Sequence, residues 1–175
     1  YYVETLRNQA SLRGEGFRDV AYTAGTPTTL QRPNTVFADA HRVYVTDQTL
    51  PPRVFIFDRG ERTASILAVP LPPADGKLMN PTAIAVDSGN VILVADAQQG
   101  RVFGYDRNGV LLLTFGKSGD LAYPTGVVID NRRNRIYIAD SHAHLVRAFT
   151  SLGDRVFDIG VDGPAEQRLK SPIGL

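Results

Sequence analysis

The 175-residue chain contains no cysteine and no tryptophan, and its single methionine is Met79. The missing thiols exclude disulfides, thiolate metal sites and a cysteine nucleophile. Net charge is nearly absent too, since 19 Lys and Arg against 18 Asp and Glu leave +1. A strongly basic nucleic-acid binder shows a larger excess, so any basic surface here has to be local. No uncharged apolar run reaches the roughly 18 residues that span a bilayer. The chain begins at Tyr1 and not at Met, which reads as a processed, subcloned or partial sequence. What is present, 43% hydrophobic residues with 16 Gly and 11 Pro, is the make-up of about one globular domain with a real core.

The decisive feature is repetition. Segments starting at Leu30, Leu78 and Leu121 align, and a fourth begins at Leu169. The marker prolines Pro33, Pro81, Pro124 and Pro172 stand 48, 43 and 48 residues apart. Asp39, Asp87 and Asp130 each follow their proline by six residues, and Asp47, Asp96 and Asp140 close the next apolar stretch. A period in the forties with several short strands per unit is the signature of propeller blades. The second unit predicts strands over residues 82–86, 91–95, 101–105 and 110–115. Asp87-Ser88-Gly89-Asn90 and Asp106-Arg107-Asn108-Gly109 are the turns between them, and the Asn-Gly pair suits a two-residue hairpin turn. Second strands such as Ile136-Tyr137-Ile138-Ala139 are apolar on both faces, as stacking between two neighbouring blades demands. A proline cannot donate to a ladder and fits the first residue of an innermost strand.

The expected architecture is therefore all-β. Residues 1–29 hold the last strand or strands of a preceding blade and a connector. Complete blades follow over 30–77, 78–120 and 121–168, with the start of another from 169. Residues 18–25 read as the fourth strand of that preceding blade, while residues 1–6 as an earlier strand and 4–13 as a short helix remain open readings. The proline-rich stretch 70–73 reads as a blade-to-blade connector. A six-bladed ring with this period needs about 270 residues, so the chain is expected to be an incomplete part of a ring, completed by further sequence or by another subunit.

Pro81-Thr82-Ala83-Ile84-Ala85-Val86-Asp87, Val91-Ile92-Leu93-Val94-Ala95-Asp96 and the Arg-apolar pairs Arg53-Val54 and Arg101-Val102 resemble the NHL repeat. The third unit keeps a histidine, His144, but has Leu145 where the arginine is expected. The resemblance covers residues ~18–175 and implies an NHL-type propeller, a scaffold that hosts many unrelated activities.

Each candidate for chemistry has a plainer alternative. His142 and His144 could be two metal ligands, but zinc requires a third and usually a fourth. The only other histidine, His41, lies in a different unit, and the resemblance gives His144 a structural role. Similar propellers include amidating lyases that bind zinc through histidines placed after the opening proline. Here those places hold Asn34, Thr82, Thr125 and Ile173. Lactonase-type relatives use carboxylates around calcium, for which Asp39, Asp87 and Asp130 are the visible set. Their recurrence in every unit reads instead as turn capping, and the same reasoning covers Asp47, Asp96 and Asp140. The densest basic run, Asn131-Arg132-Arg133-Asn134-Arg135, occupies a single turn and reads as solvated.

The expected function is a non-catalytic protein-binding or assembly scaffold, bacterial and exported to the periplasm or beyond, with no cofactor and no nucleic-acid partner. The alternatives are a lyase-like or lactonase-like enzyme holding Zn or Ca through residues outside this segment, and an RNA-binding propeller. Loops that follow second strands, and loops that join blades, emerge on one face. Gln98, Gln99, Tyr123, His142 and His144 are its expected contact residues.

Overall fold

The computed structural model describes residues 18–19, 30–60, 63–67, 77–116, 119–160 and 168–175. They form an all-β arc of propeller blades. Strands β2 (Pro33–Ala38), β3 (Arg42–Asp47), β4 (Arg53–Asp58) and β5 (Thr63–Ile66) make the first blade. The second consists of β6 (Pro81–Val86), β7 (Ile92–Asp96), β8 (Arg101–Tyr105) and β9 (Leu111–Phe115). The third consists of β10 (Pro124–Asp130), β11 (Arg135–Asp140), β12 (Leu145–Thr150) and β13 (Arg155–Ile159). Within each blade the strands are antiparallel and lie in sequence order. Among the described residues no helix is long and apolar enough to cross a membrane.

The N-terminal segment gives a fifth strand. β1 (Arg18–Asp19) runs parallel to β5, pairing Arg18 with Thr63 and Asp19 with Ala64. These two residues thus extend the outer edge of the first blade. Residues 1–17, 20–29 and 70–73, where other strands, a helix and a connector were expected, lie outside the described residues.

Each inner strand opens at its marker proline, and each carries a register shift beside it, at Pro33/Val36, Pro81/Ala83 and Pro124/Gly126. A bulge leaves its extra residue out of the ladder and re-aims that side chain. Asn34, Thr82 and Thr125 sit in these bulges and all reach the next proline carbonyl. Asn34 Nδ2 donates to Pro81 O at 3.1 Å, Thr82 Oγ1 to Pro124 O at 2.6 Å, and Thr125 Oγ1 to Pro172 O at 2.8 Å. The position that the resemblance flagged for metal-binding histidines is thus occupied by a row of links between blades.

The core lies between the blades, and the middle strands of the second blade are buried on both sides. The second blade turns Ile84, Ile92, Val94, Phe103 and Tyr105 toward Tyr44, Val54 and Ile56 of the first. Its other face, with Ala83, Ala85, Leu93, Ala95, Val102 and Phe115, receives Ile136, Ile138 and Phe149 of the third. At Gly104 a Cβ would come within 2.8 Å of Leu113, so that position has no room for more.

The hairpin at Asp106-Arg107-Asn108-Gly109 differs from the expected two-residue turn. Gly109 has φ 81°, whereas Asn108 is not left-handed. Gly109 N donates to Asp106 O at 3.1 Å, and the register shifts between Gly104 and Tyr105. The Asp106 carboxylate explains the choice. It accepts from Asn108 N and Val110 N, both at 2.8 Å, which holds a right-handed turn and leaves the single left-handed step to glycine.

Candidate partner-binding face

In a four-stranded antiparallel blade, the turns joining first to second and third to fourth strands lie on one face of the arc. The loops joining second to third strands, and blade to blade, lie on the other. The loop face is built on three buried carboxylates. Asp47, Asp96 and Asp140 are all 0% exposed, and each is surrounded by backbone donors. Asp47 accepts from Gln31 N, Arg32 N, Thr49 N and the Thr49 hydroxyl. Asp96 accepts from Met79 N, Asn80 N and Gln99 N, and Asp140 from Ala122 N, Tyr123 N and Ala143 N. Each carboxylate clamps the entry of its blade to the loop after its second strand. Burial by itself raises the Asp47 carboxyl, but the Thr49 hydroxyl and the three backbone amides outweigh it and hold the group below the ordinary carboxylate range.

Asp39, Asp87 and Asp130 do the corresponding work on the turn face. Asp39 Oδ1 accepts from His41 N and Arg42 N, Asp87 Oδ1 from Val91 N, and Asp130 Oδ1 from Arg132 N and Arg133 N. The carboxylates that invited a calcium reading are therefore occupied with their own backbone. Among the described residues no three His, Asp or Glu side chains converge as a metal-binding group.

Of the five expected contact residues, the structure brings two together. The Tyr123 and His142 rings stack at 4.5 Å with 24° between their planes. Tyr123 is held from below, since its carbonyl accepts Ser141 N at 3.1 Å and its amide donates to Asp140. His142 is exposed and Tyr123 half-buried, so the pair forms a flat platform open to solvent on one side. Gln98 is exposed on the neighbouring loop. Gln99 is committed to structure, its amide donating to Lys77 O at 2.7 Å. His144 has φ 58° and is not part of the stacked pair, its Nδ1 accepting from Ser171 N at 3.1 Å. His142 and His144 thus serve different partners.

Two residues on this face were not evident from the repeat pattern. Buried Ser141 donates both N–H and hydroxyl to Tyr123 O and so fixes the platform. Buried Arg147 contacts Asp140 at 3.5 Å and Asp158 at 3.2 Å. In register, Arg147 opposes Ile138, as Phe103 opposes Val94 and Phe55 opposes Val45. The arginine absent at position 145 therefore reappears two residues later and reaches the same carboxylate. Only strand register shows that correspondence.

The inner strands line a groove of about 560 Å³. Its polar lining residues are Asn34, Thr35, Thr82, Thr125 and Asn131, and none of the lining side chains titrates.

Residues 121–149 match the NHL repeat, and together with the fold this makes the chain consistent with an NHL-repeat β-propeller. No curated protein matches the sequence. Among solved structures, a nidogen/laminin complex superposes with TM-score 0.64 at 20% identity, covering 84% of this chain and 52% of the other. Hydrazine synthase of Kuenenia stuttgartiensis superposes with TM-score 0.62 at 19% identity, covering 88% and 42%. A catalytically inactive virginiamycin B lyase from Staphylococcus aureus with quinupristin gives 0.57 at 13% identity, covering 75% and 42%. These likenesses are of fold, and the chain spans about half or less of each of those chains.

Proposed function

We propose that this propeller arc is a protein-binding or assembly scaffold that engages its partner through the loop face, in an exported bacterial protein. The carrying observation is the open Tyr123–His142 platform, held rigidly by Ser141 and Asp140 and flanked by exposed Gln98. Rigid aromatic surface with adaptable amides beside it suits protein recognition, and loops on a fixed scaffold are where recognition usually sits. A complex such as nidogen with laminin, of similar fold, is in keeping with that use. Hydrogen exchange with and without the partner tests it. Protection concentrated at residues 97–100, 122–123 and 141–144 supports the reading, and protection confined to the opposite turns ends it.

A second reading is a metal-dependent propeller enzyme, amidating-lyase-like or lactonase-like, with its ligands in residues beyond these blades; the similarity in fold to virginiamycin B lyases is in keeping with an enzyme. Here the bulge positions on the inner strands carry Asn34, Thr82 and Thr125, each spent on a proline carbonyl. Metal analysis of the purified protein separates the two readings, since stoichiometric zinc or calcium favours the enzyme.

A further inference from the structure

At the joint between the second and third blades, we propose, the turn face carries a preformed pocket for one aromatic side chain, a phenylalanine presented by a partner polypeptide. The pocket measures about 80 Å³, and its walls are Leu93, Leu113, Ile129 and Ile136. It exists because the second blade is smaller than the first at three registered places. In the first blade Phe37 pairs with Tyr44, and Tyr44 with Ile56. In the second the same ladder reads Ala85, Leu93 and Gly104. The wall opposite hardly changes, since Val86 pairs with Ile92 at the first joint and Ile129 with Ile136 at the second. Leu113 leans over Gly104, where a Cβ would come within 2.8 Å of it, and takes up the space of the missing isoleucine. Nothing takes up the space of the rings. Phe37 and Tyr44, 6.1 Å apart, help to fill the first joint and have no aromatic counterparts at the second. What stays empty is the place of an aromatic side chain.

The polarity of the opening narrows the occupant further. The four walls offer no hydrogen-bonding side chain, whereas Ser88, Asn131, Asn134 and Ser151 stand exposed at the rim. Ser88 N donates to Asn131 Oδ1 at 3.3 Å and holds the two blades together there. A ring arriving from solvent enters tip first. A tyrosine would bury its hydroxyl unpaired against the apolar walls, at a cost that phenylalanine avoids. The backbone that carries the ring then lies at the rim, among hydroxyl and amide groups that suit peptide N–H and C=O. One charge of each sign also lines the opening, and both are tied to their own turns. Asp87 Oδ1 accepts from Val91 N at 2.7 Å, and Arg135 Nη1 donates to Asn134 O at 3.2 Å. The rim therefore favours neither an acidic nor a basic segment. A closed cavity that holds benzene measures about 150 Å³. This pocket is smaller but open, so it grips the outer part of a ring while the rest fills the mouth. It lies on the face opposite the Tyr123–His142 platform and is independent of it.

The test uses the whole chain and four probes titrated by amide chemical shifts: the N-acetyl amides of phenylalanine, tyrosine and alanine, and benzyl alcohol. The phenylalanine amide is expected to bind and to shift residues 87–93 and 129–136. The tyrosine amide should bind about tenfold more weakly, and the alanine amide not at all. Leu93→Tyr, which restores the residue of the first blade, is expected to fill the pocket, raise the melting temperature and abolish binding. Ser151→Trp, at an exposed position, is expected to close the mouth and abolish binding with the melting temperature unchanged. Leu112→Gln removes an exposed apolar side chain from the outer strand and should leave binding as it was. The inference is overturned if the phenylalanine amide leaves those residues unshifted, or if the tyrosine or alanine amide binds as tightly. Binding that survives Ser151→Trp, or a melting temperature lowered by Leu93→Tyr, also ends it. Benzyl alcohol binding as tightly as the capped phenylalanine would assign the pocket to a small aromatic molecule and overturn the polypeptide.

Discussion

The joint between the first and second blades and the joint between the second and third share one register and differ in what fills it. At the first, Phe103 faces the preceding blade and packs with Tyr44, Val54 and Tyr105 in a cluster that holds no charged side chain. At the second, the equivalent place is held by Arg147, which ties Asp140 to Asp158 while Phe149 and Phe115 carry the aromatic contact at 5.1 Å. Arg155 also binds Asp158, so the third blade holds a small ionic network where the second holds an aromatic ring. The difference teaches that the repeat conserves geometry and satisfied groups more strictly than residue type. A buried Asp must keep its donors, and how the neighbouring position is filled is negotiable.

Substitutions can break that comparison. The largest effect is expected for Asp140→Ala, which strands three backbone N–H groups and leaves Arg147 buried beside a lost partner. We expect a loss of about 4 kcal/mol or more, read by denaturant unfolding. Asp96→Ala, with three N–H groups but no arginine, should cost about 3 kcal/mol. Equal losses would show that Arg147 adds nothing. Phe103→Ala should cost about 3 kcal/mol through its cavity. Arg147→Met should cost less, about 1–2 kcal/mol, because the thioether fills the joint while Asp140 keeps its backbone donors.

Smaller effects sharpen the picture. Thr82→Val keeps the shape and removes one link between blades, for an expected loss of about 1 kcal/mol. The slightest effect is a matter of pH. The Asp47 carboxyl is depressed in the folded state, chiefly by Thr49 and the amides overcoming burial. Its stabilisation is therefore complete above the unfolded carboxylate range and fades as pH falls through the lower folded value. Thr49→Ala should flatten the acid limb of a melting-temperature profile, and an unchanged limb would contradict the assignment.

Much of the fold was legible because the repeat is written in residues with local jobs. Prolines mark strand starts, aspartates cap turns, and continuous apolar strands declare two covered faces. Boundaries came within a residue, with β7 at Ile92–Asp96 against an expected 91–95. The Asn108-Gly109 turn was misjudged because the dipeptide preference ignores the Asp106 carboxylate two residues earlier. Tyr123 and His142 could be placed on one face from strand order alone, but their stacking could not, since it depends on Ser141 fixing a backbone. The role of Arg147 was invisible for a physical reason: it arises from neighbours across strands, Asp140 and Asp158, which no window along the chain contains.

The two kinds of tie described above also set a hierarchy of cohesion. Asp47, Asp96 and Asp140 close each blade upon itself, with three or four donors per carboxylate. The inner strands of adjoining blades share a single side-chain bond to a proline carbonyl at each seam, joined at the first seam by Gln48 to Asn80 and Pro81 and at the second by Ser88 N to Asn131. When thermal motion opens this molecule short of full unfolding, a whole blade is therefore the part that leaves. Amide protons within one blade should exchange as a cohort, and the step in protection should fall at the seams.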